Sequence, residues 1–161
     1  WYILGYGDRE IQIREAIQTA HMEDFVVLLG KKENPYPYMR MCDIYVQPSV
    51  YEGKCVAVRE AQLLGKPVII TDFPTAHSQL RDGTDGVIAP LDFYGFTDAL
   101  AALIQDNGKQ EALKAACRST DFTQYKEAEK ILKFAEGRES YAEDQRHRAD
   151  LQRRKISRAV R

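Results

Sequence analysis

Short apolar runs alternate along this chain with segments of helical period, and that alternation restricts it to an α/β fold in which a parallel sheet is flanked by helices. Strands are expected at Tyr2 to Leu4, Phe25 to Leu29, Ile44 to Gln47, Val68 to Thr71 and Gly86 to Ala89. Phe25 to Leu29 and Val68 to Ile70 are continuously apolar, as strands covered on both faces must be. Between them Ile13, Ala16, Ile17 and Ala20 fall at i, i+3, i+4 and i+7, an apolar helix face expected to cover the sheet. Phe96, Leu100, Leu103 and Ile104 repeat the pattern, and Ala128, Ile131, Leu132 and Ala135 do so again before Gly137.

A length of 161 residues suits one core and a tail, here 1–137 and 138–161. The tail holds eight Lys or Arg against four Asp or Glu, so the formal charge of −1 divides into +4 there and −5 before it. It lacks a sustained apolar stripe and reads as a charged, helical extension, and the acidic body implies no nucleic-acid partner. No apolar run reaches the ~20 residues that cross a bilayer. Cys42, Cys55 and Cys117 are odd in number and lack metal-type spacing, which argues against a disulfide framework or zinc and for a cytoplasmic location. His21, His77 and His147 have no second ligand at metal spacing, leaving surface or capping roles. Because Tyr2 to Leu4 already read as a strand, further sequence is expected before Trp1.

In open α/β sheets, ligands bind where strands give way to helix N-termini. Gly5-Tyr6-Gly7-Asp8 after the first strand is a shortened glycine-rich turn without a third glycine, and a tight strand-to-helix connection explains it equally well. Gln47 to Ile70 carries more. It reads strand, loop, helix, glycine stop and strand, with Gly53 where backbone must approach a ligand closely. The amides of Lys54, Cys55 and Val56 are expected unpaired at the helix start, where free N–H groups and the helix dipole attract a diphosphate. Glu60 is expected about two turns beyond that start, so Glu52 and Glu60 would reach different parts of one elongated ligand. A carboxylate can accept hydroxyls from an adjacent diol, which suits a ribose or a hexose. Taken alone, the pair equally fits a helix-start carboxylate and an exposed helix residue.

The run Pro48-Ser49-Val50-Tyr51-Glu52-Gly53, then Glu60-Ala61 and Gly65-Lys66-Pro67-Val68-Ile69, resembles retaining glycosyltransferases of the GT-B type. The likeness is closest to glycosyltransferase family 4, the glycosyl transferases group 1, whose hallmark is two glutamates separated by seven residues. Tyr2 to Gly7, Phe25 to Gly30, Asp43 to Ser49 and Arg81 to Gly86 are similar to further stretches of that family, so the resemblance covers roughly 1–137. It implies the Rossmann-like, donor-binding C-terminal half of a GT-B fold. It also implies that Glu52 is catalytic, contacting the donor hexose near the reacting carbon. Gly53, Lys54, Cys55 and Val56 would line the sugar and diphosphate, Glu60 the ribose hydroxyls, and Gly30 to Asn34 the base, with Gly5 and Ser49 also donor-binding. Neither a metal nor a cofactor is implied.

Departures accompany the likeness. The family carries a further strand and helix, with a diphosphate-holding Arg and Lys, before the point matched by Trp1, and an N-terminal domain that binds most of the glycan, lipid or small-molecule acceptor. Any contact with the inner face of a membrane would run through that domain. Glu52-Gly53-Lys54-Cys55 replaces the family's Glu-Gly-Phe-Gly, which bears on sugar preference and affinity. The expectation is a hexosyltransferase of polysaccharide biosynthesis whose residues 1–161 bind donor weakly and transfer nothing alone. A nucleotide-sugar epimerase and a non-catalytic nucleotide-binding module are the rival readings.

Overall fold

A computed structural model describes residues 1–120 together with Ile131, Lys133 and Ala135. The boundary expected at Gly137, the charged segment 138–161 and His147 lie outside the described residues. The chain forms two compact units, Trp1–Pro35 and Tyr36–Arg161.

In the first unit β1 (Tyr2–Leu4) pairs in parallel with β2 (Val27–Gly30) across α1 (Glu10–Thr19). The second strand starts two residues later than the apolar run beginning at Phe25, which is exposed. α1 ends in a Schellman arrangement: Met22 N donates to Ile17 O and His21 N to Gln18 O, both at 3.0 Å. His21 takes the left-handed position, φ 52°, usually given to glycine, and so fills the capping role open to it in the sequence. The apolar face of α1 does not become core. Ile13, Ala16 and Ala20 are exposed and only Ile17 is half-buried, because two strands of three and four residues offer too little apolar surface to cover a ten-residue helix.

The second unit contains α2 (Tyr36–Met41), β3 (Tyr45–Gln47), α3 (Val56–Leu63), β4 (Val68–Thr71), α4 (Ala76–Gln79), β5 (Val87–Ala89), α5 (Phe93–Gln105) and α6 (Asn107–Ser119). Its sheet has the order β3-β4-β5, all parallel, with Val46 opposite Ile69 and Ile70 opposite Ile88. β4 is the centre, and all four of its residues are buried. Successive side chains of a strand point to opposite faces. Val68 and Ile70 therefore join Val58 and Ala61 of α3 and Ala76 of α4, while Ile69 joins Leu103 of α5 and Leu113 of α6. Burying each of the Val, Ile and Leu side chains among them contributes roughly 1.5–3 kcal/mol. Of the face anticipated on α5, Leu103 is buried, Phe96 and Leu100 are half-buried, and Ile104 turns outward.

Local chemistry sets the joints. α3 stops where Gly65, at φ +69°, lets Lys66 N reach Ala61 O and Gly65 N reach Gln62 O. Asp92 caps α5 through Gly95 N at 2.9 Å, and Asp106 caps α6 through Lys109 N at 2.8 Å. In the turn before β5, the carboxylate of buried Asp85 accepts from both the amide and the Nε of Arg81, at 2.7 and 2.9 Å. Gly86 follows with no room to spare: a Cβ there would lie 2.8 Å from Leu80 Cδ2 and 3.2 Å from Val68 O. Gly86→Ala is accordingly expected to lower unfolding stability by about 1–3 kcal/mol in urea titrations. An unchanged midpoint would show that β5 can move away from Leu80.

Candidate functional site

Of the residues singled out in the sequence, Gly5 and Gly30 belong to the first unit. Gly5 follows β1 at φ +140° and donates its amide to the O of Gly30, 3.1 Å away, which closes β2 at φ +68°. Ser49, Glu52, Gly53, Lys54, Cys55, Val56 and Glu60 belong to the second unit, on the loop from β3 and on α3.

That loop lacks regular structure of its own and is held from the next connection. Thr71 donates to Ser49 O. The Thr75 hydroxyl, with one proton to give, lies 2.8 Å from Glu52 O and 2.7 Å from Gly53 O. Gln79 completes the hold: its Nε2 donates to Gly53 O at 3.3 Å and its Oε1 accepts from Cys55 N at 3.0 Å. One of the three amides expected to be unpaired is therefore already satisfied. None of Thr71, Thr75 or Gln79 stood out in the sequence, since each acts across 22 to 26 residues and belongs to no motif.

α3 begins at Val56, with Cys55 as its extended N-cap, which places Glu60 in the second turn of the helix. The Cys55 thiol is pushed up by burial, against opposition from the Val58 and Ala57 amides that it faces at the helix start. Lys54 is exposed beside it. No heavy atom lies within 4 Å of where a Cβ on Gly53 would project, so the backbone there is open to close approach.

The two carboxylates are held differently. Glu52 is half-buried, and its Oε1 accepts from Ser49 Oγ at 2.8 Å and from Gln47 Nε2 at 3.1 Å. Glu60 is also half-buried, and its Oε1 accepts from the phenol of Tyr36 at 3.0 Å. Burial raises the pKa of Glu60, and the Tyr36 bond opposes that shift in part. No Lys or Arg ion pair reaches either carboxylate among the described residues; Arg59, next to Glu60, donates instead to Gln79 O at 3.0 Å. Two carboxylates supplied with neutral donors, each with a second oxygen outside these bonds, can accept hydroxyl groups. His77 is exposed and lies 3.3 Å from Asp72. No group of three His, Cys, Asp or Glu suited to a metal ion occurs among the described residues, nor does a helix long and apolar enough to cross a membrane.

Residues 1–106 match the family model of glycosyl transferases group 1. The chain belongs to that family. The amylovoran biosynthesis glycosyltransferase AmsK of Erwinia amylovora is 34% identical over 118 residues, which are 68% of this chain and 28% of that protein. The lipopolysaccharide core biosynthesis mannosyltransferase LpsB of Rhizobium meliloti is 31% identical over 110 residues, or 66% of this chain and 31% of LpsB. The chain thus spans about a third or less of the length of these group 1 relatives. HepE of Anabaena, crystallised with UDP and glucose, superposes with a TM-score of 0.68 at 19% identity, covering 84% of this chain and 38% of HepE. The fold is that of GT-B glycosyltransferases, and the parallel sheet of the second unit, with helices on both faces, agrees with it.

The raised pKa of Glu60 has a consequence for stability. A buried acid that prefers its proton in the folded state contributes stability below the unfolded carboxylate pKa, and that contribution is lost as pH rises through the higher folded value. Glu60→Gln keeps an acceptor for Tyr36 and removes the charge. Its urea midpoint is expected above wild type at neutral pH, with the gap closing as pH falls below the carboxylate range. A lower midpoint at neutral pH would mean that the ionised carboxylate is stabilised in place.

Proposed function

We propose that this chain is the donor-binding part of a retaining glycosyltransferase that moves a hexose from a nucleoside diphosphate to a glycan, lipid or small-molecule acceptor. The observation that carries the proposal is the pair Glu52 and Glu60, half-buried at the start and in the second turn of the α3 segment, each held by neutral donors. Glu60 takes the ribose hydroxyls, with Tyr36 steadying one oxygen. Gly53, Lys54, Cys55 and Val56 face the sugar and diphosphate, and the first-turn amides of α3 stabilise the charge that the diphosphate gains on leaving. Glu52 faces the hexose, where positive charge develops as the bond to the diphosphate breaks. The UDP and glucose bound by HepE support this choice of donor class. AmsK and LpsB bear names that point to different products, amylovoran and lipopolysaccharide core, so membership of the family does not fix the individual sugar.

Steady-state kinetics of the full-length protein separate the two roles. A ribose is held alike in the ground and transition states, so Glu60→Gln is expected to raise the donor KM about ten- to a hundred-fold with little change in kcat. Glu52→Gln removes charge beside the reacting carbon and should lower kcat by a similar factor. Near wild-type values for both variants would make the glutamates structural and end the assignment.

A further inference from the structure

The second unit binds Glu52 into a chain of side chains that begins in its core. Tyr45, on β3, packs against the cluster built on Val58, Ile70 and Phe73. Its phenol donates to Gln47 Oε1 at 2.6 Å, and burial, reinforced by nearby Cys55, Glu60 and Glu52, pushes its pKa up and keeps the proton in place. An amide has one acceptor end and one donor end. With Oε1 committed to Tyr45, the Nε2 of Gln47 must point the other way, where it meets Ser49 Oγ at 2.9 Å and Glu52 Oε1 at 3.1 Å. Ser49 accepts from Gln47 and passes its own proton to the same Glu52 oxygen at 2.8 Å. The reversed amide would set a carbonyl oxygen against a carboxylate and leave the Tyr45 proton facing N–H donors, so Tyr45 decides the orientation.

A carboxylate oxygen offers two lone-pair sites. Both sites on Glu52 Oε1 are used by the protein, whereas among the described residues Glu60 Oε1 accepts from Tyr36 alone. We infer that Tyr45 and Gln47 are positioning residues that, through Ser49, withdraw Oε1 of Glu52 from ligand contact and present Oε2 alone to the sugar. Glu60 keeps acceptor sites on both oxygens and can bridge a diol; Glu52 cannot. Ser49, whose proton goes to the carboxylate, links Gln47 to Glu52. This inference rests on the reading that Glu52 faces the hexose.

The test is a double-mutant cycle in the full-length protein, with turnover of UDP-glucose, UDP-N-acetylglucosamine and GDP-mannose as probes. Gln47→Met preserves volume and removes both ends of the amide, and Tyr45→Phe removes one hydroxyl. Gln47→Met is expected to lower kcat about ten-fold, the loss of a hydrogen bond to a charged group, with donor KM within about two-fold. Tyr45→Phe should lower kcat less, and the double variant no further than Gln47→Met alone, because Tyr45 acts through Gln47. Additive losses, or a Gln47→Met variant with wild-type kcat, would overturn the relay. If Glu52→Gln is itself without effect, the underlying functional reading fails instead; if no probe is consumed, the donor is another nucleoside diphosphate hexose. The relay is then decided by a high-resolution crystal structure of the chain: one Glu52 rotamer with Oε1 on Ser49 and Gln47 supports it, and Oε1 turned to solvent rejects it.

Discussion

A strand that is buried along its whole length must be given an apolar layer on each side, and β4 imposes that demand on the second unit. α3 and α4 meet it on one face, and α5 and α6 on the other. The loop between β3 and α3 has its place because of this. Its start is the end of β3, paired with β4, its finish is the head of α3, packed on β4, and the residues that hold its middle follow directly from the end of β4. The chemistry of the loop thus inherits its precision from a row of aliphatic side chains that touch no ligand.

Within the loop, rigidity is achieved by side chains rather than by regular backbone structure. Thr75 and Gln79 satisfy the carbonyls of Glu52 and Gly53 and the amide of Cys55, groups that would otherwise lie at the edge of the fold with only water to bond. This leaves the Glu52 side chain to be governed by Gln47 and Ser49, and Glu60 by Tyr36 from α2. Among the described residues, each carboxylate meets hydrogen-bond donors that carry no charge, so these donors orient its negative charge without neutralising it.

Much of this was legible in the sequence. Continuous apolar runs located β4, the glycine at 65 located the end of α3, and the spacing of Glu52 and Glu60 placed them on a loop and a helix that meet. What stayed hidden depends on pairing at a distance. Tyr45 and Gln47 read as strand residues, and only the folded register turns them toward Glu52. Thr75 and Gln79 lie in a connection whose sequence names no partner, and the short helix α4 falls below the length at which periodicity is visible. The face of α1 shows the converse error: the period was real, yet period alone does not tell how much sheet awaits the helix.

The alternation of β4 also bears on how such a chain can diversify. Ile69 and Ile70 are adjacent in sequence and serve different layers, one against α5 and α6 and the other against α3. A change of volume at Ile69 is taken up first by α5 and α6, whereas the same change at Ile70 presses directly on the helix that carries Glu60. Random substitution along four consecutive codons would thus sort, with a period of two, into variants that repack α5 and α6 and variants that shift α3.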